Sequence, residues 1–353
     1  MWATVNGTTI PTAMSRNIRI PTDMSHTPRV ELGDEHLNAS IASGMDAVEA
    51  KLRSVLAEGA DFVTDKVLHL LDAGGKRFRP MFALLASCYG QRPCSEDVIK
   101  AAVVVEITHL ATLYHDDVMD EADRRRGVPS ANARWNNSVA ILAGDFLLAK
   151  ASGLMAELGV DTVAHFADTF GELVTGQMRE TIGAQDGDPV AHYTAVIKEK
   201  TGVLIASAGY LGALHSGASE EHTRALQSFG NNIGMVFQIV DDIIDIFSSP
   251  EESGKVPGTD LREGVFTLPV LYALQEDTPV GEQLRGLLTG PIDNDADVAR
   301  ALDLLERSTG REKALADVRH YLDAAEHDLA QLPDGPATTA LLDLARFTVA
   351  RVG

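Results

Sequence analysis

The sequence predicts an all-α protein folded as a single domain. Apolar residues recur at three- and four-residue intervals along most of the chain from Glu31 onward, the spacing of helices with one buried face. No stretch of useful length alternates apolar and polar residues as a half-buried strand does, and the strand–helix alternation of a nucleotide-binding sheet is missing. Hydrophobic residues make up 45% of the 353 while aromatics reach only 5%, a balance that suits helices rich in Ala and Leu better than a β-sandwich.

Residues 1–30 are rich in Thr, Pro, Asn and Ser and weakly periodic. They read as a mobile tail, in which Met14 and Met24 leave room for a later start. The body, 31–353, follows. Its apolar spacing predicts helices over 41–56, 62–71 and 78–88. The next, 101–120, is apolar almost throughout as far as Ala111 and should be buried on most sides. Helices over 138–158, 162–181, 192–215 and 220–247 come after it. Pro93, Pro129, Pro189, Pro250, Pro257 and Pro269 fall between stretches as breakers. Beyond Pro269 the pattern gives helices over 270–274, 297–308, 312–332 and 337–352. No linker divides this body.

Lys and Arg number 30 against 51 Asp and Glu, a formal net charge of −21. Such a chain repels a polyanion, which excludes nucleic acid as a partner but not a local basic site for a small anion. Cys88 and Cys94 lack metal-type spacing and read as reduced thiols. No uninterrupted apolar run reaches the ~18–20 residues of a membrane span, and no basic-then-apolar leader opens the chain. The expectation is a soluble, cytoplasmic protein.

The chemistry starts at Asp116-Asp117-Val118-Met119-Asp120. Asp116 and Asp120 share one helix face, with Cβ atoms ~5–6 Å apart, close enough to hold one hard divalent cation that completes its shell with water and phosphate. An acidic pair of this kind is most often a solvated helix face. Two things shift that balance. The pattern returns 125 residues later as Asp241-Asp242-Ile243-Ile244-Asp245, and both copies sit in apolar sequence, where carboxylates demand compensation by cations or metal. His109 lies two turns before Asp116, and Gln238 three residues before Asp241, on the same faces. Two such motifs facing one cavity would collect metals and the phosphates they bind.

Basic clusters keep the aspartates company. Gly74-Gly75-Lys76-Arg77-Phe78-Arg79-Pro80 sets three cations beside a glycine pair that lets a ligand approach the backbone. Arg124-Arg125-Arg126-Gly127 follows the first aspartate motif. Compensation of a helix C-terminus explains one or two of these arginines, not all of them. Lys200-Thr201 and Lys255 add to an inventory that suits two diphosphates.

Taken together, GGKRFRP (74–80), HLATLYHDDVMDEADRRRG (109–127), LAGDFLLAKA (142–151), KTG (200–202), FQIVDDIID (237–245), GKVPGTDLREG (254–264) and TLP (267–269) resemble the trans-isoprenyl diphosphate synthases, the polyprenyl synthetases, over about 40–350. The long-chain members are the nearest in pattern. The resemblance implies an all-α isoprenoid synthase bundle around a deep central cavity, normally a homodimer, with at most peripheral membrane contact for product release. It implies isopentenyl diphosphate and an allylic diphosphate as substrates and Mg²⁺ as cofactor, three ions to a site bridged by diphosphate. Asp116, Asp120 and Asp241 would hold the metal, with Asp117, Asp242 and Asp245 in support. Arg125, Lys200 and Lys255 would bind the allylic diphosphate. Lys76, Arg79, His109 and Arg126, with Arg77 in the same cluster, would bind isopentenyl diphosphate. Thr201 and Gln238 would stand at the reacting carbons. The allylic C–O bond would ionise, the double bond of isopentenyl diphosphate would attack, and a proton would leave.

Two positions depart from the family. Val265 stands where a lysine is common, and Glu180 where many relatives have glutamine. Position 111 lies five residues, about 7.5 Å, before Asp116. A small Ala111 followed by Thr112 there implies an open shaft for the growing chain and a medium-to-long product of the kind that supplies menaquinone or ubiquinone side chains. Phe146, Phe166 and Phe170 are deeper candidates for its floor. On this reading Ala111→Phe shortens the product. The rivals are a short-chain (farnesyl or geranylgeranyl) synthase, a terpene cyclase, which seldom keeps a second aspartate motif, a non-catalytic subunit of a heteromeric synthase, which would have lost some of these residues, and a plain helical scaffold.

Overall fold

A computed structural model of the protein describes residues 3–5, 8–10, 31–248 and 256–352. Lys255 and most of the expected tail lie outside the described residues. Within that tail β1 (Ala3–Val5) and β2 (Thr8–Ile10) pair antiparallel.

The body is helical almost throughout. In chain order it contains α1 (Glu35–Ala57), α2 (Asp61–Val67), α3 (His69–Asp72), α4 (Phe78–Ser87) and α5 (Glu96–Met119). A two-residue hairpin pairs β3 (Arg124–Arg125) with β4 (Val128–Pro129). Then come α6 (Ala131–Arg134), α7 (Asn137–Leu158), α8 (Val160–Ile182), α9 (Pro189–Ile197), a π-helical turn (Lys198–Gly202), α10 (Val203–Ser216) and α11 (Glu220–Phe247). After 249–255 follow α12 (Thr259–Glu263), α13 (Leu268–Leu274), α14 (Pro279–Leu287), α15 (Asp295–Glu306), α16 (Gly310–Leu329) and α17 (Pro336–Val349).

The all-α expectation is met, and the departures have local causes. The helix expected over 62–71 is split into α2 and α3 by Tyr114. Its hydroxyl donates to Lys66 O at 2.5 Å and accepts from Leu70 N at 3.3 Å, so a side chain replaces one rung of the ladder. The helix expected over 192–215 is interrupted by the π-helical turn. Pro189 and Pro269 start helices rather than end them, sitting in the first turn where the missing N–H costs nothing. Pro279 does the same for α14, which the sequence reading lacked, and Thr278 caps it by accepting from Gly281 N at 3.1 Å.

The chain forms two compact units. One comprises Met1–Thr169, Leu204–Gln227 and Leu329–Leu344, the other Phe170–Val203, Ser228–Asp328 and Ala345–Gly353. Every boundary between them falls inside a helix (α8, α10, α11, α16, α17), which is why no linker betrays them.

In the first unit α5 is the core, packed by α1, α4 and α7 and buried from Val98 to Ala111 on almost every side. By length and composition alone both α5 and α7 could cross a membrane, but 72% of the most apolar window of α5 is already buried. The thiols of Cys88 and Cys94 are free, and burial pushes that of Cys88 up to about 12. A polar cluster sits between α8 and α10, where the ring of His165 stacks on Tyr210 at 4.0 Å and Nε2 meets Ser207 Oγ at 2.9 Å. Burial lowers the pKa of His165 to about 4. Below pH ~6.5 the unfolded chain therefore takes up a proton that the folded one refuses. His165's share of the stability should fall by up to roughly 3 kcal/mol between pH 6.5 and 4, and urea unfolding of His165→Gln should lose less stability over that range than the wild type.

In the second unit the end of α11 and helices α12–α15 enclose a separate apolar core around Ile246, Leu261, Val270, Leu284 and Leu304.

Candidate active site

The first unit carries the basic clusters and the first aspartate motif. The motif occupies the last turn of α5, which has no basic residue. Asp116 is half-buried, Asp117 buried and Asp120 exposed at the C-cap. Carboxylates here add to the negative end of the helix dipole, an arrangement that raises the field a cation would feel at a cost in stability. Asp117 Oδ1 accepts from Arg125 Nε at 2.6 Å. Its Oδ2 is buried without a hydrogen-bond partner, and burial keeps its carboxyl above the usual range despite the arginine.

The β3–β4 hairpin sets the arginines. Arg126 (φ 52°) and Gly127 (φ 79°) are its two turn residues, both left-handed as a type I′ turn requires. Pro129 O is tied to His69 Nε2 at 2.8 Å. Arg126 Nη1 donates to Leu70 O at 2.8 Å and to Gly74 O, bracing the glycine loop before α4. Gly75 (φ 154°) suits glycine, because a Cβ there would stand 3.0 Å from Arg126 Cζ and from Arg77 Nη1 and would press on both guanidinium groups.

His109, one of the expected substrate contacts, lies in this basin. Burial, and then Arg79, Arg126, Arg77 and Arg125 in that order, hold its pKa well below the usual histidine value, so it is a neutral imidazole among guanidinium groups. Arg79 Nε is buried and has no hydrogen-bond partner. Lys76 is exposed.

Arg77 corrects the sequence reading. Its side chain is buried, Nη1 lies 3.0 Å from Glu106, Nε 3.3 Å from Glu49, and Nη2 donates to Leu71 O at 3.1 Å. The guanidinium is committed to the frame. The open shaft at Ala111 is corrected too. Ala111 has no accessible surface, whereas Thr112 is half-buried with its hydroxyl donating to His109 O at 2.8 Å. Phe146 packs against Gly59 and under Lys150.

The second unit brings Lys200, Thr201, Gln238 and the second aspartate motif together. Thr201 Oγ1 donates to Gln238 Oε1 at 3.2 Å, and Gln238 Nε2 donates to Asp242 Oδ1 at 3.0 Å. Tyr193, which nothing in the sequence singled out, donates to Asp242 Oδ2. Burial raises the Asp242 pKa to about 8 against the pull of those two donors. Asp245 is buried, its carboxylate accepting from Asp260 N at 3.3 Å and its backbone carbonyl from Gly258 N at 2.9 Å. Asp241 alone of the three is half-buried. Lys200 Nζ lies 2.5 Å from Glu180.

Among the described residues no group of three metal-ligating side chains stands preassembled. The donors still fit a hard cation. They are carboxylate oxygens, and Asp117 Oδ2 is a buried acceptor with no hydrogen-bond donor.

The polyprenyl synthetase family description matches residues 61–305. The chain is 52% identical to the nonaprenyl diphosphate synthase of Mycobacterium tuberculosis over 92% of its own length and 97% of that protein. It is 39% identical to component 2 of the heptaprenyl diphosphate synthase of Geobacillus stearothermophilus, covering 87% and 95%. Its structure superposes with a TM-score of 0.85, at 66% identity over 91% of this chain and 99% of the other, on a geranylgeranyl pyrophosphate synthase from Corynebacterium glutamicum crystallised with calcium and isoprenyl diphosphate.

Proposed function

The chain belongs to the polyprenyl synthetase family, and on that premise we propose that it condenses isopentenyl diphosphate with an allylic diphosphate, head to tail, into a medium- to long-chain all-trans polyprenyl diphosphate, a precursor of quinone side chains. The observation that carries the reading is the neutral His109 set among Arg79, Arg125 and Arg126 beside an aspartate-lined helix end. That is a basin for an anion next to a seat for a cation.

Asp116, Asp120 and Asp241 would hold Mg²⁺, which when bound supplies the Lewis acidity that draws charge onto a leaving diphosphate. The remaining work belongs to the chain. Lys76, Arg79, Arg126 and His109 bind isopentenyl diphosphate, the neutral imidazole contributing without adding repulsion to the arginines. Arg125 and Lys200 bind the allylic diphosphate, with Lys255 from the segment outside the described residues. Gln238 is oriented by Asp242, which takes its N–H, so the amide oxygen is the end turned to Thr201. The two oxygens direct negative dipole ends toward positive charge developing on the allylic carbons. Tyr193 positions Asp242.

A homodimer is part of this proposal. Ile141 and Leu142 on α7 and Val160 on α8 are large apolar side chains 43%, 65% and 78% exposed, suited to cover by a second copy. The cytoplasm is the compartment that supplies both water-soluble substrates.

Purified protein, Mg²⁺, labelled isopentenyl diphosphate and a geranyl, farnesyl or geranylgeranyl starter should yield a ladder of dephosphorylated products ending at a long polyprenol. A ladder that stops at the geranylgeranyl length would favour the short-chain reading, which the C. glutamicum neighbour supports. No incorporation would overturn the synthase assignment. In the same assay Thr112→Phe, at a half-buried site, should shorten the products. Ala111→Phe should instead cost about 1–3 kcal/mol of stability through overpacking, measurable by urea unfolding.

A further inference from the structure

Lys200 has a carboxylate partner inside the protein. Its Nζ lies 2.5 Å from Glu180 Oε2, and the neighbouring residues pair the opposite way, with Arg179 Nε and Nη2 at 2.9 and 3.0 Å from the two oxygens of Glu199. Successive residues of α8, Arg179 and Glu180, thus meet successive residues of the π-helical turn, Glu199 and Lys200, through two crossed ion pairs. Backbone proximity makes this possible. A Cβ at Gly176 would stand 2.8 Å from Glu199 Cβ and 2.9 Å from Lys200 N, so α8 lies this close only because it carries glycine there.

The two pairs are not equivalent. Arg179–Glu199 is a two-pronged contact between planar groups, the form that fixes geometry. Lys200–Glu180 is a single contact to a point charge whose partner is 42% exposed, the weaker form and easily exchanged for another anion. The first pair holds the register of turn and helix while the second opens.

We propose that Glu180 is an internal competitor of the substrate diphosphate for Lys200. An incoming diphosphate must displace the Glu180 carboxylate to claim the ammonium, and a departing one is replaced by it. Every allylic diphosphate held at Lys200, starter or elongated product, is therefore held less tightly than Lys200 alone would hold it. After each addition the chain either elongates or leaves. By favouring departure, Glu180 shortens the residence of intermediates and so shortens the product distribution. The inference rests on Lys200 binding the allylic diphosphate.

The test is a titration of inorganic diphosphate with Mg²⁺ into the full-length wild type, Glu180→Gln, Lys200→Ala and the double variant, followed by calorimetry. Glu180→Gln should tighten binding about two- to fivefold, the worth of an exposed ion pair, and should not tighten it when Lys200 is alanine. Its products under limiting isopentenyl diphosphate should shift to longer chains. Unchanged affinity in Glu180→Gln would overturn the competition, and so would an equal gain in the Lys200→Ala background, which would point to the bulk effect of one lost negative charge. If Lys200→Ala itself binds diphosphate as tightly as the wild type, the assignment of Lys200 fails first.

Discussion

Asp116→Asn should lose about 10²–10³-fold in kcat, the equivalent of several kcal/mol of electrostatic stabilisation, yet unfold no more easily than the wild type. The two effects have opposite signs for one reason. A carboxylate in the last turn of α5 opposes the helix dipole, so its removal relieves about 0.3–1 kcal/mol while taking away a donor for the cation. Steady-state turnover with a farnesyl starter and urea unfolding of the same preparation would check both. Activity within tenfold of the wild type would remove Asp116 from the metal set.

The second large effect is structural. Arg77→Met should cost about 3–5 kcal/mol, because the buried Glu106 carboxylate would lose the guanidinium it is directly paired with. Restoring neutrality with Glu106→Gln in the same chain should recover part of that loss. Lys76→Met, one residue earlier and exposed, should leave the unfolding midpoint in place and raise KM for isopentenyl diphosphate. A functional role for Arg77 would instead produce a raised KM in a protein of normal stability.

That contrast shows where the sequence is legible. Lys76, Arg77 and Arg79 carry the same kind of charge in one short run, and nothing local says that the middle one turns inward to Glu106, 29 residues on. Position in the loop decides it, and Arg77 takes left-handed backbone (φ 48°) to do so. The long apolar stretches of α5 and α11 were readable because burial on most sides leaves a plain pattern. The aspartate motifs were readable because carboxylates in that setting need a reason. The break between α2 and α3 was not, since its cause is a tyrosine 44 residues downstream of Leu70. The π-helical turn was hidden because one extra residue per turn scarcely disturbs an apolar periodicity. The β3–β4 hairpin lacked the Asn-Gly cue that usually announces such a turn, Arg126 filling the first left-handed position. Glu180 did stand out in the sequence as unusual, but only its distance to Lys200 says what it does.

The interleaving of the two units has a consequence for biosynthesis. The first unit takes in Leu329–Leu344 and the second Ala345–Gly353, so neither is complete on a ribosome until residues beyond 328 have been made. Fragments made by cutting the gene in the middle would not correspond to either unit. Loss of α17, which contributes residues to both units, should leave both incomplete at once, making a helix with none of the proposed site residues a step on which both wait.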